Sequence, residues 1–174
     1  MQPDFQTAVL LVIDVQQALN HPRWGKRNNP NAEANIAKLL AEWRRKKRRV
    51  IHIHHLNPKQ ESLFDGNGFE VKPEAAPLSE EPVLTKNVNS AFIGTDLRQR
   101  LDAMNATRLV LVGMTTDHCV STTARMAGNF GYETYVVSDA TATFERTGVR
   151  GQHYSAEEMH ETALVSIVTT VELS

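Results

Sequence analysis

Three residues of this chain are of types that together make a nucleophile: Asp14, Lys86 and Cys119. A thiol attacks carbon as a thiolate, so it needs a base to take its proton or a cation to hold its charge. Asp14 is such a base, and Lys86 is a cation that could hold the thiolate and orient the carboxylate. Each follows the carboxyl end of a predicted strand. Asp14 ends the apolar run of residues 7–13, Lys86 ends the run 82–85, and Cys119 lies one polar turn beyond the run 109–112. Open α/β sheets place their ligand crevice at that edge. Taken singly, each residue has a plainer reading. A lone cysteine is more often a small buried hydrophobe, a carboxylate at a strand end is commonly a turn residue, and most lysines are solvated.

The elements that must bring the three together are legible as patterns. Residues 7–13 are continuously apolar and rich in β-branched types, which reads as a central strand buried on both faces. A polar loop follows over 16–31, and Trp24 in it is a pocket lid or a surface anchor. Asn29-Pro30 reads as a helix start, with Ile36, Leu39, Leu40 and Trp43 on one helical face. The basic run 44–49 complements the negative end of that helix. Residues 50–54 form a second strand, on which His52 and His54 share a face and His55 takes the other. Histidines alternating in this way raise the question of a metal, but a site needs three or four convergent ligands.

Residues 57–82 form a long irregular segment in which Phe64 and Phe69 could cap a pocket or meet a partner subunit. After the third strand comes a loop carrying Phe92. Thr95 then caps a helix lined by Leu97, Leu101 and Met104. The strand 109–112 is broken by Gly113, and the period turns helical from Val120, so Cys119 falls in a helix's first turn. Residues 133–138 form a fifth strand. Ser155 and Glu158 have the form of a capping box, and 168–172 a sixth strand. Strands alternating with helices predict an α/β fold of three layers, α-β-α, in one domain over 1–174. Its six-stranded parallel sheet is doubly wound in the order 3-2-1-4-5-6. The helix N-terminus and Lys86 favour a thiolate while an ionised Asp14 opposes it, which predicts a lowered thiol pKa.

Composition excludes several classes. A formal net charge of -1 leaves no electrostatic footprint for nucleic acid or an acidic membrane. One cysteine forms no internal disulfide, which fits a reducing compartment. No apolar run reaches membrane-spanning length, and no signal peptide is visible. The expectation is a cytoplasmic protein with a small-molecule substrate and no nucleic-acid or membrane partner.

The segments ending at Gln16 (LLVIDVQ), at Leu97 (TKNVNSAFIGTDL) and at Val120 (GMTTDHCV) make the chain similar, over nearly its whole length, to the isochorismatase-like cysteine hydrolases. The resemblance implies an Asp14–Lys86–Cys119 triad, an oxyanion hole from the backbone N–H groups of Thr115 and Cys119, and a cis peptide at Met114–Thr115. It implies a homo-oligomer, a dimer or built on dimers. Gln16 matches a glutamine near the triad, and Trp24, Phe64, Phe92 and His118 are further pocket candidates. The nicotinamidase branch carries a metal on an Asp-x-His pair and a further His. Here His55-Leu56-Asn57 stands at the matching place without the carboxylate, so no metal and no cofactor are expected. True isochorismatases cleave a vinyl ether without the cysteine, so keeping Cys119 favours hydrolysis of an amide or related C–N bond through a thioester. An isochorismatase-type vinyl-ether hydrolase and a binding module with an inert cysteine stay open as alternatives.

Overall fold

A computed structural model describes residues 5–59, 62–167 and 170–171. Its centre is β1 (Val9–Ile13), buried along its whole length. Val9, Leu11 and Ile13 enter one core, and Leu10 and Val12 the core on the opposite face. A strand flanked by cores on both faces must be apolar at every position, which is why the run does not alternate. Beside it lie β2 (Val50–His55), β3 (Val83–Lys86), β4 (Arg108–Met114) and β5 (Glu133–Ala142). After a short antiparallel hairpin, β6 (Arg146–Thr147) and β7 (His153–Tyr154), the chain adds β8 (Thr170–Val171). The sheet order is β3-β2-β1-β4-β5-β8 with every pair parallel. This is the predicted doubly wound order, with β8 as its sixth strand. Residues 168, 169 and 172 of the predicted strand lie outside the described residues.

One face is covered by α1 (Ala32–Arg45), which buries Ile36, Leu39, Leu40 and Trp43. The other is covered by α2 (Leu97–Ala103), α3 (Ser121–Asn129) and α4 (Ala156–Val165), through Leu97, Leu101, Ala124, Ala127 and Leu164. The result is three layers. The Ser155–Glu158 capping box opens α4 as expected. In the basic run, Arg44 pairs with Glu81, and Arg45 and Lys46 with Glu42. No helix among the described residues is long and apolar enough to cross a membrane.

Three expectations about the site's frame need correction, and one irregularity explains them. β4 does not stop at Gly113 but runs on to Met114. β5 does not stop at Ser138 but reaches Ala142. Between their paired stretches β4 advances from Leu111 to Gly113 while β5 advances from Val136 to Thr141. β5 therefore carries extra residues, a bulge of the kind that frequently borders active sites. Its carbonyls need other donors, and Asn29 supplies them. The Asn29 Nδ2 group donates to Ser138 O at 2.8 Å and Thr141 O at 2.7 Å. Asn35 Nδ2 donates to Asp139 O at 2.8 Å. Asn29 thus does not cap α1, which begins two residues past Pro30 with Asn31 at its cap position.

Candidate active site

The carboxyl ends of β1, β3 and β4 meet at a cavity of about 320 Å³. Asp14 follows β1 directly in a left-handed conformation (φ 52) that aspartate tolerates better than most residues. Its N–H donates to Ile53 O at 2.9 Å, tying it to the adjacent strand. Lys86 is the last residue of β3, and its side chain is fully buried. Cys119 lies in a π-type turn, Thr116–Val120, between β4 and α3. That turn is closed by the Val120 N–H donating to Thr115 O at 3.2 Å. The sequence reading placed Cys119 in the first turn of an α-helix; the wider turn adds a residue there, as π-bulges at functional sites do. The peptide Met114–Thr115 that leads into it is cis, as the resemblance implies.

The three side chains converge. Lys86 Nζ donates to Asp14 Oδ2 at 2.7 Å and to Cys119 Sγ at 3.3 Å. His55 Nδ1 lies 3.0 Å from the same nitrogen. A primary ammonium has three N–H bonds, and each has an acceptor here. Asp14 Oδ1 is buried with no hydrogen-bond partner among the described residues, and the Asp14 carboxyl interacts with the Cys119 thiol. Burial pushes the Cys119 thiol up, the Asp14 charge pushes it further, and Lys86 pulls back less than both. Burial likewise raises the Asp14 carboxyl against the pull of Lys86. The predicted lowering of the thiol pKa is therefore corrected. Nearly complete desolvation of an anion outweighs one nearby cation, and the resting cysteine is a thiol beside a waiting base.

Burial and the Lys86 charge hold His55 neutral, with its pKa down to about 4. Asp14, His55 and Cys119 are close enough, and of the right types, to share a metal ion. The Lys86 ammonium, within 2.7 to 3.3 Å of an atom of each, already fills the cationic position among them.

Thr115, Trp24, Phe64 and His118 line the cavity. Trp24 is fixed there by its indole N–H, which donates to Ala18 O at 2.8 Å, and by stacking on Phe144. Gln16 does not line it. Its buried side chain donates to His55 O at 3.0 Å and accepts from His55 N at 2.7 Å, so it anchors the backbone beneath the site. Phe92 does not line it either. It packs against Phe130 and Tyr132 in the α3-side core, because the residues around it turn into α2 rather than toward the crevice.

Leu19, Arg23, His55, Asn57 and Asn89 are among the cavity residues that the sequence reading missed. Asn89 Oδ1 is 4.0 Å from the thiol. A signal for His55 existed, since its side chain takes the face of β2 opposite His52 and His54, and the register pairs it with Lys86. His52 is held by Glu81 and His54 packs on Phe69, both buried away from the cavity.

The profile of the isochorismatase domain matches residues 8–172. An uncharacterized isochorismatase family protein of Bacillus subtilis, YrdC, is 45% identical over 160 residues, covering 91% of this chain and 86% of that protein. A crystal structure of an isochorismatase family protein from Chromobacterium violaceum superposes with a TM-score of 0.94 at 36% identity. That match covers 100% of this chain and 92% of the other. Maleamate amidohydrolase of Pseudomonas putida is 35% identical over 83 residues, 47% of this chain and 39% of that enzyme.

Proposed function

The chain belongs to the isochorismatase family and is a hydrolase, and from that premise we propose that it cleaves an amide or related C–N bond of a small molecule through a thioester at Cys119. The observation that carries this reading is the arrangement around the thiol. Asp14 Oδ1 is buried with no hydrogen-bond partner among the described residues, free to take a proton from the thiol with which the carboxyl interacts, while Lys86 bridges Asp14 Oδ2 and Sγ. A buried thiol with a raised pKa is a poor nucleophile until a base takes its proton at the moment of attack. Asp14 receives that proton as sulfur adds to the carbonyl carbon, and Lys86 holds the charge developing on both groups. The carbonyl oxygen becomes an oxyanion in reach of the backbone N–H groups of Thr115 and Cys119. As the C–N bond breaks, protonated Asp14 gives its proton to the leaving amine. Water then attacks the thioester with Asp14 again as base, releasing the acid and restoring the thiol.

The relative from P. putida whose name states an amide substrate supports the bond type. The cavity is at the low end of ligand-pocket sizes, which suits a metabolite rather than a peptide. Its aromatic walls, Trp24 and Phe64, suit a flat or apolar part of such a molecule.

The test is a panel of small carboxamides and ureido compounds assayed for ammonia or amine release by the wild type and by Cys119→Ala. The expected result is turnover that falls by more than about a hundredfold in the variant, with the fold retained. A variant that keeps more than about a hundredth of the activity would overturn the covalent mechanism.

A further inference from the structure

We propose that His55 is a positioning residue of this hydrolase, an imidazole acceptor that holds the Lys86 ammonium between the Asp14 carboxylate and the Cys119 thiol. This rests on the triad reading above and adds a fourth member to it. Lys86 Nζ has a partner from each element packed against it: Asp14 Oδ2 from the end of β1, His55 Nδ1 from β2, and Cys119 Sγ from the π-type turn. The Lys86 side chain is sealed from solvent, so no water can replace a missing acceptor without repacking. A buried ammonium that lacks one of its three acceptors is costly. It relieves that cost by shifting toward the neutral amine or by moving away.

The contact fixes the state of the ring as well. Nδ1 accepts from Lys86, so the single ring proton of the neutral imidazole sits on Nε2. The placement of His55 is itself over-determined. Gln16 grips its backbone N–H and C=O together, and the Phe64 and His55 rings pack at 65° with centroids 4.9 Å apart. The β2–β3 register sets His55 directly beside Lys86. Such a construction serves one atom, Nδ1, at one place. Gln16 thereby gains a role too, since it reaches Lys86 through His55 rather than reaching substrate.

Asp14 must be ionised to act as base, and the ammonium is the cation that favours that state against burial. If Lys86 loses an acceptor, its charge is weakened, the Asp14 carboxyl rises further, and the thiolate loses support. The acid limb of the kcat/KM profile should then move to higher pH. Iodoacetamide alkylation of Cys119 should slow at fixed neutral pH.

The experiment compares wild type, His55→Phe, His55→Asn and Lys86→Met in both measurements, with circular dichroism to confirm folding. His55→Phe keeps a ring of similar shape but has no acceptor. His55→Asn puts an acceptor oxygen near the position of Nδ1. His55→Phe is expected to lower kcat by about tenfold or more, slow alkylation by a similar factor and raise the acid limb. His55→Asn should recover much of each. Because His55 also lines the cavity, KM is not the readout. If Lys86→Met shifts both profiles and His55→Phe shifts neither, the role of His55 is overturned while the triad stands. The proposal is also overturned if His55→Asn is as impaired as His55→Phe in both profiles. If Lys86→Met itself leaves alkylation and the pH profile unchanged, the triad reading fails, and with it the premise of this proposal.

Discussion

Asp14 acts on the thiol in two opposed ways, and substitution separates them. As a base it is needed for turnover, but as a negative charge it raises the pKa of the thiol it serves. Asp14→Asn should therefore lower turnover by about a hundredfold or more. The same change should make Cys119 easier to alkylate near neutral pH, because Lys86 then faces the thiol without a competing carboxylate. In the wild type, alkylation should still be rising at pH 9, since burial and Asp14 hold the thiol above its ordinary value of 9.0. Stopped assays beside iodoacetamide rates across pH read both effects. A variant in which turnover and alkylation fall together would show that Asp14 supports the thiolate rather than the proton transfer.

At the scale of elements, the site depends on how closely β1 and β4 approach. Gly113 pairs with Ile13, the residue before Asp14, at a φ of 120. A Cβ there would lie 1.9 Å from Ile13 O, a backbone atom that cannot step aside. Gly113→Ala should cost about 3 kcal/mol or more, a fall in Tm of roughly 6–12 °C for a domain of this size. Whatever folds should have lost activity as well, since the clash pushes Asp14 away from Cys119. A Tm within about 2 °C of wild type would contradict this picture of the junction. The sequence read Gly113 as a strand breaker because glycine usually is one. Its reason here, close approach of a neighbouring strand, is a tertiary fact. The extension of β5 and the use of Asn29 were hidden likewise, because bulge carbonyls and their donors lie far apart in the chain. What was legible was what repeats locally. The both-face apolar runs of β1 and β4, the buried stripe of α1 and the capping box of α4 are periodic or adjacent signals. The triad was legible only as three strand ends, and the resemblance to a family was needed to join them. His55 was legible as facing away from His52 and His54, but that its face meets Lys86 came only from the β2–β3 register.

At the scale of the whole molecule, the buried histidines set the acid limit of stability. His52, His54, His55 and His160 are all held below their ordinary value of 6.5 by burial, His54 and His55 down to about 4. The unfolded chain therefore binds these protons more readily than the fold. Their contribution to stability is present above pH 6.5 and is lost as pH falls from 6.5 toward 4. Glu33 and Glu81, lowered to about 2 by ion pairs and hydrogen bonds that outweigh their burial, add a loss that begins only below about 4.5. Asp14, raised in the fold, works in the opposite sense over its own range. Tm measured against pH should already fall between 6.5 and 4.5, and a flat profile down to 4.5 would contradict the neutral, buried assignment of these rings. The central claim, a bond between Cys119 and the acyl part of an amide substrate, is tested most directly by the mass of the intact protein. An amide that turns over is mixed with enzyme, quenched in acid within the first turnovers and analysed by mass spectrometry with peptide mapping. An adduct of the acyl mass is expected on the peptide containing Cys119, removed by hydroxylamine and absent from Cys119→Ala. Product release with no adduct at any quench time, together with an active Cys119→Ala, would contradict it.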